Sequence, residues 1–328
     1  MPRTRAVVIS KPGGPEVLEL GEIDLPEPGP TQVLIDVAAA GLNRADCLQR
    51  RGFYPAPPGV PADVPGLEFA GTVAELGSDV RGWSVGDPVM GIVGGGGMAK
   101  MLVTESSELM RVPQGLTLVQ AAAVPEVFLT VFDAVVVQGG LSRGGTVLFH
   151  AVASGIGTAG IQIAAALGAT SIGTSRTADK LARCEALGLD HGVLASEGQF
   201  ADAVLSAASK GVNVILDTVG AAYLGQNVKV LAKQGRIVVI GLMGGVKGEL
   251  PLGALLAKRG TVVGSVLRSR SSDEKAALTE AFTTQMLARF EEGELAPVID
   301  DIVPMEDVQA AHARMDANQT FGKLVLRW

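Results

Sequence analysis

The chain has 328 residues, 47% of them hydrophobic, and 27 Lys and Arg against 34 Asp and Glu give it a net charge of −7. That length exceeds what one core sustains and calls for two domains, while the acidic balance offers nothing to a nucleic acid or an anionic membrane surface. Only Cys47 and Cys184 are present; far apart in sequence, they exclude a disulfide framework and fit a reducing, cytoplasmic compartment.

Arg3 and Arg5 precede only the short apolar run Ala6 to Ile9, too brief for the core of an export signal. The first part of the chain reads as all-β with long loops. Strands are expected at Arg5 to Ser10, Glu19 to Leu25, Gln32 to Ala40, Glu68 to Leu76 and Asp87 to Ile92, punctuated by Gly13-Gly14-Pro15 and by Pro26, Pro28 and Pro30. Such a pattern predicts a small barrel or sandwich. Two loops stand out within it, Leu42-Asn43-Arg44-Ala45-Asp46 and Gly52-Phe53-Tyr54-Pro55. Asn43 and Tyr54 carry neutral donors able to face a carbonyl oxygen or a carboxamide; by residue type alone, turn chemistry for Asn43 and a packed aromatic for Tyr54 are the favoured explanations.

From Thr117 the texture changes to an Ala-rich helix, Val119 to Val124, then Pro125 and the apolar Val127 to Val137. The domain boundary is placed here. Gly144 to Ser175 contains no charged residue and is long enough to span a bilayer, but its Gly, Ser, Thr and His break it into pieces. Thr146 to Phe149 reads as a buried strand, Ile156 to Leu167 as a helix and Thr170 to Thr174 as a second strand, the start of a dinucleotide-binding βαβ unit. The turn between strand and helix is either Gly155-x-Gly157-x-x-Gly160 or Ala151-x-x-Ser154-x-x-Gly157. A helix starting there offers unpaired N–H groups to a diphosphate.

An Asp or Glu after the second strand marks a preference for NAD. This chain instead has Thr174-Ser175-Arg176 and, one turn on, Lys180. Hydroxyl, guanidinium and ammonium would hold a 2′-phosphate through charge-assisted bonds, so NADPH is the predicted cofactor; the alternative is that Arg176 and Lys180 are solvated surface charges. A helix at Lys180 to Leu187 and strands at Val212 to Asp217, Arg236 to Gly241 and Thr261 to Leu267 continue the alternation, giving a doubly wound parallel sheet with its ligand at the strands' carboxyl ends. Asp217-Thr218-Val219-Gly220 and Gly241-Leu242-Met243-Gly244 are expected there as cofactor neighbours. Ser271-x-x-Glu274 opens a helix carrying Leu278, Phe282, Met286 and Phe290 inward. A strand at Val298 to Val303, a helix at Glu306 to Met315 and a strand at Lys323 to Leu326 close the chain.

Asn43-Arg44-Ala45-Asp46, the run from Ala121 to Glu126, Gly241-Leu242-Met243-Gly244-Gly245 and Leu267-Arg268-Ser269-Arg270 together resemble the medium-chain dehydrogenase/reductase superfamily, in particular its zinc-free quinone oxidoreductases of the tumour-suppressor-inducible type. The resemblance runs through nearly the whole chain. It implies an α/β fold with a GroES-like catalytic domain, residues 1–124 and 268–328, and an inserted Rossmann domain, 125–267, with NADPH between them. It also implies a homodimer joined through the edge strand Thr261 to Leu267. By similarity, Asn43, Tyr54 and Thr130 lie near the nicotinamide, Ser154, Gly155, Ile156, Gly157 and Thr158 near the diphosphate, and Ser175, Arg176 and Lys180 near the 2′-phosphate; Met243, Leu267, Arg268 and Lys323 are further contacts. One departure is Ala195, where relatives often place a Tyr against the adenosine phosphate.

Zinc-dependent relatives use a Cys in the first loop and a His-Glu pair later; the corresponding stretches here are Leu42 to Asp46 and Gly66-Leu67-Glu68-Phe69. Neither holds a thiolate or imidazole ligand, and His150 at the end of a buried strand reads as structural. The expected activity is therefore metal-free hydride transfer from NADPH to a quinone or similar conjugated carbonyl, with Tyr54 and Asn43 orienting the acceptor. An enoyl or enone reductase with Tyr54 as proton donor, and a non-catalytic nucleotide-binding redox sensor, are the alternatives.

Overall fold

The computed structural model describes residues 2–328. The described residues divide into two compact units, one built from 2–129, 267–293 and 297–328, the other from 130–266 and 294–296.

In the first unit, β1 (Arg3–Ile9) pairs with β2 (Leu18–Asp24). The main sheet holds β3 (Gln32–Leu42), β4 (Glu68–Leu76), β5 (Pro88–Ile92), β6 (Met101–Glu105) and β7 (Leu109–Arg111). β6 and β7, separated only by Ser106 to Glu108, were not expected. The long strand β3 carries alternating buried residues Val33, Ile35 and Val37, which meet Phe69, Val73, Val89 and Leu102 in one core. Two strands from the end of the chain, β14 (Ile299–Pro304) and β15 (Lys323–Arg327), complete the sheet in the order β14-β15-β3-β4-β5-β7. Leu324 of β15 lies opposite Leu42 of β3. Residues separated by most of the sequence thus become sheet neighbours.

The helix Ser272–Glu291 begins as its sequence dictates, with Ser271 Oγ accepting from Glu274 N and Glu274 reaching back to Ser271 N. Its buried stripe is Leu278, Phe282, Met286 and Phe290. The segment after Asn43, expected as a loop, is instead a helix, Arg44–Arg50. Its cause is local: Asp46 Oδ2 accepts from Asn43 N at 2.8 Å, closing the first turn.

The second unit is an α/β sandwich on a parallel sheet of β8 (Thr146–Phe149), β9 (Thr170–Ser175), β10 (His191–Leu194), β11 (Val212–Asp217), β12 (Leu231–Val239) and β13 (Thr261–Gly264). Their order, β10-β9-β8-β11-β12-β13, reverses direction at β8, the position where doubly wound sheets open a crevice. The uncharged stretch from Gly144 is β8, a turn, the helix Gly155–Leu167 and β9. Among the described residues no helix is long and apolar enough to cross a membrane. β13 stops at Gly264, short of the expected Leu267, because pairing with β12 runs out after Val239 opposite Gly264.

Candidate functional site

The turn after β8 is built from Ala151 to Ser154. Ala151 adopts a left-handed conformation with φ of 49°, taking the place where a glycine usually makes this bend. Ser154 then caps the helix Gly155–Leu167, its hydroxyl accepting from Gly157 N at 3.2 Å. A Cβ on Gly157 would lie 2.1 Å from Val152 O, and one on Gly160 would lie 2.4 Å from the Phe149 ring. The operative motif is thus Ala151-x-x-Ser154-x-x-Gly157, and Gly160 serves packing against β8. Gly155 and Ile156 are the first helical residues, while the Thr158 hydroxyl turns inward to Gly155 O at 3.1 Å.

β9 ends at Ser175, whose hydroxyl accepts from Thr177 N at 3.3 Å, and Arg176 follows exposed. Lys180 lies in the first turn of the helix Ala178–Ala186. On β11, Asp217 is buried with both oxygens engaged: Oδ1 accepts from Val219 N at 2.7 Å and Gly220 N at 2.9 Å, and Oδ2 from Asn227 Nδ2 at 3.0 Å. Asp217 therefore shapes the loop that presents Val219. The neighbouring Thr218 hydroxyl, in the stretch expected beside the cofactor, is buried with no protein partner, an acceptor-donor that a bound ligand would satisfy. Gly241, Leu242 and Met243 follow β12, with Leu242 and Met243 half exposed. The second unit thus gathers these residues at the carboxyl ends of β8, β9, β11 and β12. Thr130 stands on the helix Pro125–Val131, half-buried.

In the first unit, β3, β4 and β15 converge on a buried polar cluster. Lys323 Nζ donates to Glu68 Oε1 at 2.5 Å, Asn43 Oδ1 at 2.6 Å and Leu42 O at 3.0 Å, which spends all three ammonium protons on protein. Asn43 Nδ2 donates to Glu68 Oε1 at 2.9 Å and Gly41 O at 3.3 Å. Because ammonium only donates and carboxylate only accepts, the Asn43 amide orientation is fixed. Its Oδ1 serves as an acceptor, where residue type alone had offered a donor.

Arg268, buried, donates through Nε to Gly94 O at 2.6 Å, Nη1 to Tyr54 O at 2.8 Å and Nη2 to Gln49 Oε1 at 2.6 Å, with its guanidinium 4.8 Å from the Tyr54 ring centroid. It braces the Tyr54 loop and lines a cleft of about 390 Å³ together with Pro57 to Pro61. Leu267 beside it is buried.

Two titratable residues of this unit escaped the sequence reading. Burial pushes the Asp46 carboxyl up to about 6, against the pull of the Asn43 and Gly66 amides that donate to it. Glu126 is pushed up to about 8, first by burial and then by the Glu68 charge. Its own amide donates to Glu68 Oε2 at 2.8 Å. Burial raises the Tyr54 phenol, so it stays a donor at neutral pH.

Residues 155–283 match the zinc-binding dehydrogenase family and residues 29–114 the alcohol dehydrogenase GroES-like domain. Mouse quinone oxidoreductase-like protein 2 is 32% identical over 91% of this chain and 85% of its own length. The chain belongs to the medium-chain dehydrogenase/reductase superfamily. Among solved superfamily members, a quinone oxidoreductase of Pseudomonas syringae aligns with TM-score 0.89 at 29% identity, over 99% of this chain and 100% of that one. An NAD-dependent alcohol dehydrogenase gives 0.87 at 33%, covering 99% of both chains. A mycobacterial protein complexed with NADPH gives 0.87 at 27%, over 99% and 100%.

The zinc in the name of the matching superfamily domain does not fit these side chains. Asn43 and Leu67 stand where thiolate and imidazole would be needed, and the Lys323 ammonium already neutralises Glu68. A nicotinamide nucleotide does fit: Gly157 lets the helix start pack directly on Val152, which leaves the first-turn amides at the end of β8, and Thr218 offers an unspent hydroxyl.

Proposed function

We propose that this superfamily member is an NADPH-dependent reductase of quinones or similar conjugated carbonyls that works without a metal ion. The observation that carries this reading is the closed Lys323–Glu68–Asn43 triad, which fills the place of a Lewis acid with a neutralised ion pair. An unactivated ketone then lacks an electrophile, whereas a quinone or enone spreads incoming negative charge onto its own oxygen. The nucleotide supplies hydride when bound.

This chain's residues would position and shield. Ser154 and the first turn of the helix Gly155–Leu167 receive the diphosphate. Ser175 and Arg176, with Lys180, receive the 2′-phosphate, and the lack of a carboxylate at the end of β9 supports NADPH over NADH. Asn43 Oδ1 accepts from the carboxamide, and Tyr54, steadied by Arg268, donates to the acceptor oxygen. The exposed apolar residues Leu256, Val262 and Val266 beside edge strand β13 support a homodimer formed there.

A second reading, an enone reductase, is favoured by Glu126, which burial keeps protonated near neutral pH and thus able to resupply a proton through Tyr54. Oxidation of NADPH and NADH assayed against 1,4-quinones, enones and acyl thioesters, with and without a chelator, decides between them. Turnover of quinones at rates untouched by chelation is expected. Activity lost to the chelator and restored by zinc, or turnover confined to acyl thioesters, refutes the proposal.

A further inference from the structure

Two side chains that no step above uses, His150 and Thr174, join Asn227 and Asp217 in one continuous chain of hydrogen bonds beneath the carboxyl ends of β9, β8 and β11. Thr174, His150, Asn227 and Asp217 are all buried. Every donor in the chain is fixed by the chemistry of its end. Asp217 Oδ2 can only accept, so Asn227 donates to it through Nδ2 at 3.0 Å and turns Oδ1 the other way. That oxygen can only accept, so the His150 nitrogen 2.7 Å away, Nε2, carries the proton. Nδ1 is left with its lone pair and accepts from the Thr174 hydroxyl at 2.9 Å.

His150 is therefore one neutral tautomer, and burial lowers its pKa in the same sense. Its ring is held edge-on by Phe200 and Tyr223, each with centroids 4.8 Å away. An apolar filling of the same volume would avoid desolvating four polar groups, so the chain costs stability that a packed core would keep. What it gains is direction. At one end stands Thr174, immediately before Ser175 and Arg176; at the other, Asp217 Oδ1 holds the amides of Val219 and Gly220. The turn between is tied to both neighbours, Val152 N donating to Thr174 O at 3.0 Å and His150 N to Leu216 O at 3.3 Å.

We propose that His150 is a positioning residue whose hydrogen-bond chain couples the phosphate-binding end of β9 to the loop Asp217–Gly220, so that the two halves of the nucleotide site are held in register. This rests on the nicotinamide-nucleotide reading above. Thr174 is the place to test it, since Thr174→Val keeps shape and strand propensity while deleting one bond, and Thr174→Ser keeps the bond.

Titration calorimetry with NADPH and with 2′,5′-ADP, which lacks the nicotinamide half, reads the coupling. Thr174→Val is expected to weaken NADPH about tenfold, as loss of one buried hydrogen bond can, and 2′,5′-ADP by no more than about twofold. Thr174→Ser restores the NADPH affinity, and His150→Phe, which keeps the ring contacts, reproduces the valine result. Equal weakening of both nucleotides, weakening of neither, or a serine variant as poor as the valine one overturns the coupling. A parent chain that binds neither nucleotide overturns instead the reading of the site on which it rests.

Discussion

Lys323 and Glu68, more than 250 residues apart in sequence, meet at 2.5 Å in a cluster from which water is shut out. The pair is bought with desolvation and held by geometry, so removing one partner strands the other. Lys323→Met should cost about 3 to 5 kcal/mol of unfolding free energy, measured by denaturant titration. The double variant Lys323→Met with Glu68→Gln should recover a good part of that loss, because no buried charge is then left alone.

Glu126 sets a pH dependence whose sign follows from its folded pKa of about 8 against an ordinary 4.5. The folded state holds this proton more tightly than the unfolded one. Its stabilisation is complete below the ordinary value and is lost as pH rises from there through about 8. Glu126→Gln should therefore melt increasingly above the parent between mildly acidic and alkaline pH, by on the order of 1–2 kcal/mol at the alkaline end. Parallel melting curves across that range would contradict it.

The bend at Ala151 separates two glycine positions by their needs. Ala151→Gly relieves a left-handed φ and should be neutral or slightly stabilising, about 0.5–1 kcal/mol. Gly157→Ala must push against Val152 O from 2.1 Å and should reduce NADPH affinity at least tenfold through displacement of the helix start. Calorimetric unfolding and nucleotide titration check the two.

Cofactor choice should yield to charge at the end of β9. Ser175→Asp combined with Arg176→Ala places a carboxylate where a 2′-phosphate would sit, and NADPH affinity should fall by about two orders of magnitude while NADH binding is kept or improved. Side-by-side fluorescence titrations of the two nucleotides measure this. An unchanged ratio would leave Arg176 as a solvated surface charge.

If β13 joins two copies, Val262→Lys should shift the chain to monomer in sedimentation equilibrium without changing its far-UV spectrum, since a charge on a strand edge opposes pairing. A parent that sediments as a monomer removes the dimer outright.

How far the sequence reached differs from element to element. β8, β11 and the helix Ser272–Glu291 were legible because period, caps and breakers all lie within one continuous segment of the chain. The short helix Arg44–Arg50 was hidden because its cap, Asp46, also serves Gly66 from a distant turn, and a loop and a capped turn look alike in one dimension. The turn's two possible registers were likewise decided only by the backbone, through the φ of Ala151 and the ring of Phe149 under Gly160.

The sequence by itself determined the two-domain plan, the βαβ nucleotide unit and the basic end of β9, because each is written in neighbouring residues whose spacing fixes local structure. Only the tertiary structure decided what the polar side chains do. Asn43, Asp217, Arg268 and Lys323 were all expected to face a ligand, yet each spends most of its hydrogen-bonding capacity on protein partners, remote in sequence for Asn43, Arg268 and Lys323 and in the following turn and helix for Asp217. Residue type states what a group can bond to, but burial and distance, which for the Lys323 cluster arise only when β15 pairs with β3 and β3 with β4, determine which bonds remain to be made.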